Sequence, residues 1–306
     1  MRIKALAVAG RTGVLLALAI AAGVSPAVIG AESNEVPREV GRLRSPELRE
    51  ISGLAASRRN AEVLWVHNDG GAKRVFAIST AGTLTGEVRI REKIDDIEDI
   101  AIGPGKEDGV DYVYVGDIGD NESTRRKVRL IRFPEPDVSG KREAKLRAEK
   151  VEVFELKYPD GPHDSEALMI DAVLGDVLIV TKEKDRSRLY VVAVSELREN
   201  VDNPLELVGY LSVDEVSGGD ISASGNFVAL RSEKRGWLWS RRPGEAVFAA
   251  MQRAPRIVLT RGRSQSENGE SIGFHPKGRG YYTISEGPLE PIYIFPLPLD
   301  LRQTGG

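Results

Sequence analysis

"DIEDIAIGPG", residues 96–105, sets three acidic residues directly against an alternating apolar run that ends in a Gly/Pro turn. Carboxylates this close repel one another unless something positive lies between them. The stretch decides the fold because it recurs. EISGLA at 50–55, DSEALM at 164–169, SGGDIS at 217–222 and NGESIG at 268–273 align with its first six residues. Successive copies start 46, 68, 53 and 51 residues apart. The third column reads Ser52, Glu98, Glu166, Gly219, Glu270. The fifth reads Leu54, Ile100, Leu168, Ile221, Ile272, apolar throughout.

The same signals follow each copy. A turn comes first, as in SRRNAE or HPKGRG. Then come runs rich in β-branched and aromatic residues: VLWVHND, YVYVGD, VLIVTK, FVALRS, YYTISE. A third run follows in every copy and a fourth in four of them. Such runs between Gly, Pro, Asn and Asp turns are strand signals. Four strands per unit at this spacing predict an all-β β-propeller with five four-stranded blades. The last unit ends after three strands, and REVGRL at 38–43 precedes the first unit. The N-terminal strand is therefore expected to complete the last blade and remove the open edges. Six blades is the alternative, because the second unit has 68 residues. Its charged stretch GKREAKLRAEK, 140–150, reads instead as a solvated excursion.

Residues 1–31 differ from the rest. Arg2, Lys4 and Arg11 precede the apolar run 14–24, and small residues with Pro26 lead to Ala31. This order is that of a secretory signal peptide, too short in its apolar part to span a bilayer. The expected organisation is a signal at 1–31, a single propeller domain at 32–306, and export to the periplasm or the outside. Removing those three basic residues takes the formal net charge from −3 to −6. That balance argues against nucleic acid as a partner, and no other stretch is apolar enough to span a membrane. The chain has no cysteine, so neither disulfides nor thiolate sites are available.

Up-and-down connectivity puts the lead-in to each first strand and the loop after each second strand on one rim. Glu98, Glu166 and Glu270 then converge on the channel mouth, with Asp120 and Asn121 nearby as further oxygen donors. Hard cations such as Ca²⁺ take six to eight oxygen ligands, so Ca²⁺ is the expected metal. Zn²⁺ prefers His and Cys, and the rim has only His67 and His163; His275 falls on the opposite face. Asn68, Asp69, Asp117, Lys182, Arg231 and Glu286 are candidate ligand-binding groups. His67 and His163 are candidate general bases. A purely structural reading stands beside these. The three Glu side chains could hold neighbouring blades through backbone N–H groups, and His67 could belong to a turn. Trp65, Trp237 and Trp239 read as blade packing.

EISGLAAS, VLWVHNDGG, DIEDIAIGPG, YVYVGDIGDN, FPEP at 133–136 and DSEALMID resemble secreted bacterial β-propeller proteins. At superfamily level the pattern is similar to the calcium-dependent propellers of the gluconolactonase, paraoxonase and β-propeller phytase groups. The resemblance implies Ca²⁺ in the central channel, held by acidic residues from several blades, with Glu98, Glu166 and Glu270 in the matching positions. Ser52 and Gly219 depart from it. The leading expectation is an exported propeller whose acidic central pocket binds a divalent cation and a small ligand or partner. The alternatives are a Ca²⁺-dependent hydrolase of a lactone or phosphoester, and a metal-free propeller that binds a protein partner.

Overall fold

Strand β1 (Arg38–Arg42) pairs antiparallel with the last strand, β22 (Pro291–Phe295), so both ends of the described chain meet in one blade. The computed structural model describes residues 36–69, 73–298 and 301. The signal expected at 1–31 lies outside them.

Blade 1 is β2 (Ile51–Ala56), β3 (Val63–Asn68), β4 (Arg74–Ser79) and β5 (Leu84–Arg89). Blade 2 is β6 (Asp99–Pro104), β7 (Asp111–Asp117), β8 (Val128–Pro134) and β10 (Glu152–Lys157). Blade 3 is β11 (Ser165–Asp171), β12 (Asp176–Thr181), β13 (Arg188–Ala193) and β15 (Glu206–Tyr210). Blade 4 is β16 (Gly218–Ile221), β17 (Phe227–Arg231), β18 (Gly236–Ser240) and β19 (Arg256–Val258), with the short helix α1 (Val247–Met251) before its last strand. Blade 5 is β20 (Gly273–Phe274), β21 (Tyr281–Ile284), β22 and β1. Five blades close the ring, and the expected N-terminal strand closes it.

The long second unit holds no extra blade. Its charged stretch is not wholly a solvated excursion either. β9 (Ala144–Arg147) adds in parallel to the outer edge of blade 1, pairing with β5 from Gly86 to Arg89. β14 (Asp202–Pro204) does the same on blade 2 against β10. Both short strands cover edges that would otherwise present unpaired backbone groups. Leu146 and Ala148 pack onto the core between blades 1 and 2.

The inner strands β2, β6, β11, β16 and β20 neighbour one another in a ring. Each interface between blades has its own apolar cluster. Period-two alternation explains how one strand feeds two of them. In β7, Tyr112 and Tyr114 face blade 3, while Val113 and Val115 face blade 1. In β3, Trp65 packs toward blade 2, and Leu64 and Val66 toward blade 5. Both faces of a blade are buried, so the strands read as continuous apolar runs. Trp65, Trp237 and Trp239 are buried packing residues, as the sequence predicts. Burial of each large apolar side chain contributes about 1.5–3 kcal/mol.

Candidate functional site: an acidic channel mouth

The upper rim carries the lead-ins to the inner strands and the loops after the second strands. Local irregularities aim its side chains. In blade 3 the register shifts between Ser165 and Ala167, so Glu166 is the extra residue of a bulge. In blade 1 it shifts between Ile51 and Leu54, at Ser52 and Gly53. Bulges re-aim a side chain that regular pairing would point elsewhere.

Glu98 and Glu166 are buried, at 6% and 4% exposure. Lys182, directly after β12, places Nζ 2.7 Å from Glu166 Oε1 and 3.7 Å from Glu270 Oε1. Blade 4 has glycine, Gly219, in that column. One ammonium thus joins carboxylates of blades 3 and 5. Glu166 Oε2 is buried and has no hydrogen-bond partner. On the blade 2 side, Glu98 Oε1 and Asp96 Oδ2 both crowd the position that a Cβ on Gly119 would take. Only glycine leaves that space to the two carboxylates.

The mouth is rich in negative charge. Burial, then Glu166, Asp96, Asp69 and Asp164, push Glu98 up to about 10. Burial raises Glu166 to about 8, with Glu270 and Asp164 adding to the rise and Lys182 opposing it. Burial and then Asp69 raise Asp96, and burial also raises Glu270. Burial and then Glu270 raise Glu286. Burial works against the charge of Lys182, but Glu166 and Glu270 more than offset it and keep the ammonium protonated.

Other predicted site residues lie around this group or away from it. Asp69 is at the rim, and its charge is felt by Asp96, Glu98 and Glu270. Asn68 donates from Nδ2 to the Glu47 carbonyl at 2.6 Å, which ties its own loop. Asp117 has no exposure and accepts from the Asp96 N–H at 2.8 Å and from Arg125 and Arg129 at 3.0 Å each. Asp120 accepts from the N–H groups of Thr124 and Arg125 at 2.9 and 2.7 Å, so its carboxylate holds its own turn. Asn121 is exposed. Arg231 is 1% exposed and donates to the carbonyls of Ser232 and Ser271 at 3.2 and 3.1 Å; burial lowers it to about 10.

The two histidines differ from a pair of rim bases. His67 has no exposure, and its ring covers Gly53, where an added Cβ would meet Nε2. Burial pushes it down to about 4. His163 lies edge-on to Tyr158 at 5.3 Å, beside Tyr190 at 5.7 Å, with Nε2 3.1 Å from Asp160 Oδ1. Among the described residues no three His, Asp or Glu side chains are arranged to hold a metal ion.

The blade-to-blade contacts expected of the Glu column belong to the next column. Asp99 accepts from Ile100 N at 2.8 Å, Leu168 N at 2.9 Å and Gly219 N at 3.4 Å, linking blade 2 to blades 3 and 4. Asp220 accepts from Ile221 N at 2.8 Å and from Phe274 N, in blade 5, at 2.7 Å. Burial raises Asp99 well above the carboxylate range and Asp220 to about 7. The signal was present in the sequence, since both are Asp at the fourth position of their repeat.

No family profile and no curated protein matches the chain. Solved structures do. The PQQ-bound aldose sugar dehydrogenase of Streptomyces coelicolor is 12% identical at a TM-score of 0.48, over 85% of this chain and 96% of that one. A putative 6-phosphogluconolactonase from Bacteroides uniformis is 14% identical at 0.40, over 84% and 69%. The Dos1 propeller is 12% identical at 0.40, over 80% and 78%. The chain is similar in architecture to these β-propeller structures.

Proposed function

We propose that the protein is an exported binding module whose acidic channel mouth takes up a divalent cation, Ca²⁺ before others. One observation carries the reading: the Glu98 and Asp96 carboxyls converge over Gly119, close enough to share a proton, next to the unpartnered Glu166 Oε2. Like charges packed this way need a proton or a cation to compensate. The donors are all oxygens, which suits Ca²⁺ rather than Zn²⁺. Asp96, Glu98 and Glu166 would hold the ion, though the three acids are not gathered around one point beforehand. Asp96 and Glu98 would take the ion first and Glu166 would turn onto it. The ion would supply positive charge on the blade 2 side, as Lys182 does beside Glu166 and Glu270. Export rests on the leader-like order of residues 1–31. A binding module is favoured over a hydrolase because His67 is enclosed and His163 is engaged by Asp160 and two tyrosines.

The test is a calorimetric titration of chelator-treated protein with Ca²⁺. The expected result is saturable binding that Glu98→Gln abolishes and Gly119→Ala weakens. Absence of binding to the wild-type protein at millimolar Ca²⁺ overturns the reading.

A further inference from the structure

The lower rim, at the other end of the channel, is basic. The turns that follow the inner strands of blades 4, 5 and 1 border a cavity of about 470 Å³. Small-molecule sites have this size. Arg58 and Arg59 of blade 1 and Lys277 and Arg279 of blade 5 line it, and Glu62 is its one lining carboxylate. Glu62 already accepts from Thr80 Oγ1 at 3.0 Å. Arg58 and Arg59 have carboxylates at 3.4 and 4.0 Å, Asp111 and Asp137, outside the lining. Lys277 and Arg279 have no ion-pair partner among the described residues, and both are exposed.

His275 adds a neutral donor to this cavity. It is 7% exposed, and Tyr282 stacks on its ring at 5.8 Å and 25°. The Lys277 N–H points at Nδ1 from 3.0 Å, so the neutral ring carries its proton on Nε2. Burial, then Arg279 and Lys277, hold the ring below its ordinary pKa and therefore neutral.

We propose that this cavity binds a small phosphate-bearing molecule, with Arg58, Arg59, Lys277 and Arg279 neutralising the phosphate oxygens and His275 Nε2 donating to one of them. The chemistry favours phosphate. Guanidinium forks match its oxygens in pairs, and lysine adds a point charge. Three guanidinium groups, an ammonium and an imidazole N–H offer more donors than one planar carboxylate accepts. The cavity is separate from the upper mouth, and the proposal does not depend on cation binding there.

The probe is pyrophosphate, titrated calorimetrically at constant ionic strength against the wild-type protein, with citrate as the comparison anion. Saturable binding of pyrophosphate, tighter than that of citrate, is expected. Lys277→Gln with Arg279→Gln, two exposed changes that leave the fold intact, weakens it about tenfold or more, because two of the charged donors are lost. Glu98→Gln leaves it unchanged. Absence of saturable binding, or unchanged binding in the double variant, overturns the site. Equal binding of citrate overturns the assignment to phosphate.

Discussion

Lys182 Nζ lies 2.7 Å from Glu166 Oε1 and 3.7 Å from Glu270 Oε1, so a single side chain balances two blades' carboxylates. Its removal leaves both acids without a counter-charge in a partly buried place. Lys182→Met is expected to destabilise the protein at neutral pH by about 1–3 kcal/mol. The loss is smaller at pH 5, because burial raises both carboxyls and favours their protonated forms. Ca²⁺ binds Lys182→Met more tightly than the wild-type protein, because the ammonium no longer competes for Glu166. Denaturant unfolding at the two pH values, with and without Ca²⁺, measures all three effects.

The mouth makes stability fall as the solution becomes more alkaline. Burial and neighbouring acids raise Glu98 to about 10 and Glu166 to about 8, from an ordinary value of 4.5. A group raised on folding stabilises the fold fully below its unfolded pKa and loses that contribution as pH rises through its folded pKa. The window here runs from about 4.5 to 8 for Glu166 and on to 10 for Glu98. Each group contributes a slope of up to about 1.4 kcal/mol per pH unit within its window. Thermal melts between pH 5 and 9 therefore show a falling melting temperature, and Glu98→Gln flattens the fall.

The Asp99 carboxylate gathers three backbone N–H groups from the inner strands. Asp99→Ala leaves these donors buried and unpaired, at a cost of about 2–4 kcal/mol. Asp99→Asn keeps one acceptor oxygen and loses less. Urea unfolding of the two variants gives the difference directly. The binding of Ca²⁺ by folded protein stays as in the wild type.

Closure by β1 protects β22. Deleting residues 36–43 exposes the β22 edge from Pro291 to Ile294 along its length. Such an edge pairs with other chains. The truncated protein is expected to aggregate at concentrations where the full chain is monodisperse, as light scattering reports.

The fold was legible because the repeat is written in columns. The invariably apolar fifth column and the turn after each copy gave five blades, and REVGRL supplied the missing strand. The acidic column was legible too, since Glu98, Glu166 and Glu270 share one repeat position. Their counter-charge was not. Lys182 lies in a different loop, and only the fold brings its ammonium between Glu166 and Glu270. The clasps made by Asp99 and Asp220 depend on strand register between blades, which repeat alignment does not carry. β9 was hidden because AKLR, although it alternates, is only four residues long and lies within a densely charged run.

The most direct test of the cation site is the melting temperature of chelator-treated protein at pH 7.5 as Ca²⁺ rises to millimolar levels at constant ionic strength. A ligand that binds only the folded state raises it with concentration; at a hundred times its Kd the gain is about 2.7 kcal/mol. The account predicts a saturable rise that Glu98→Gln removes. A melting temperature unmoved by Ca²⁺ would contradict it.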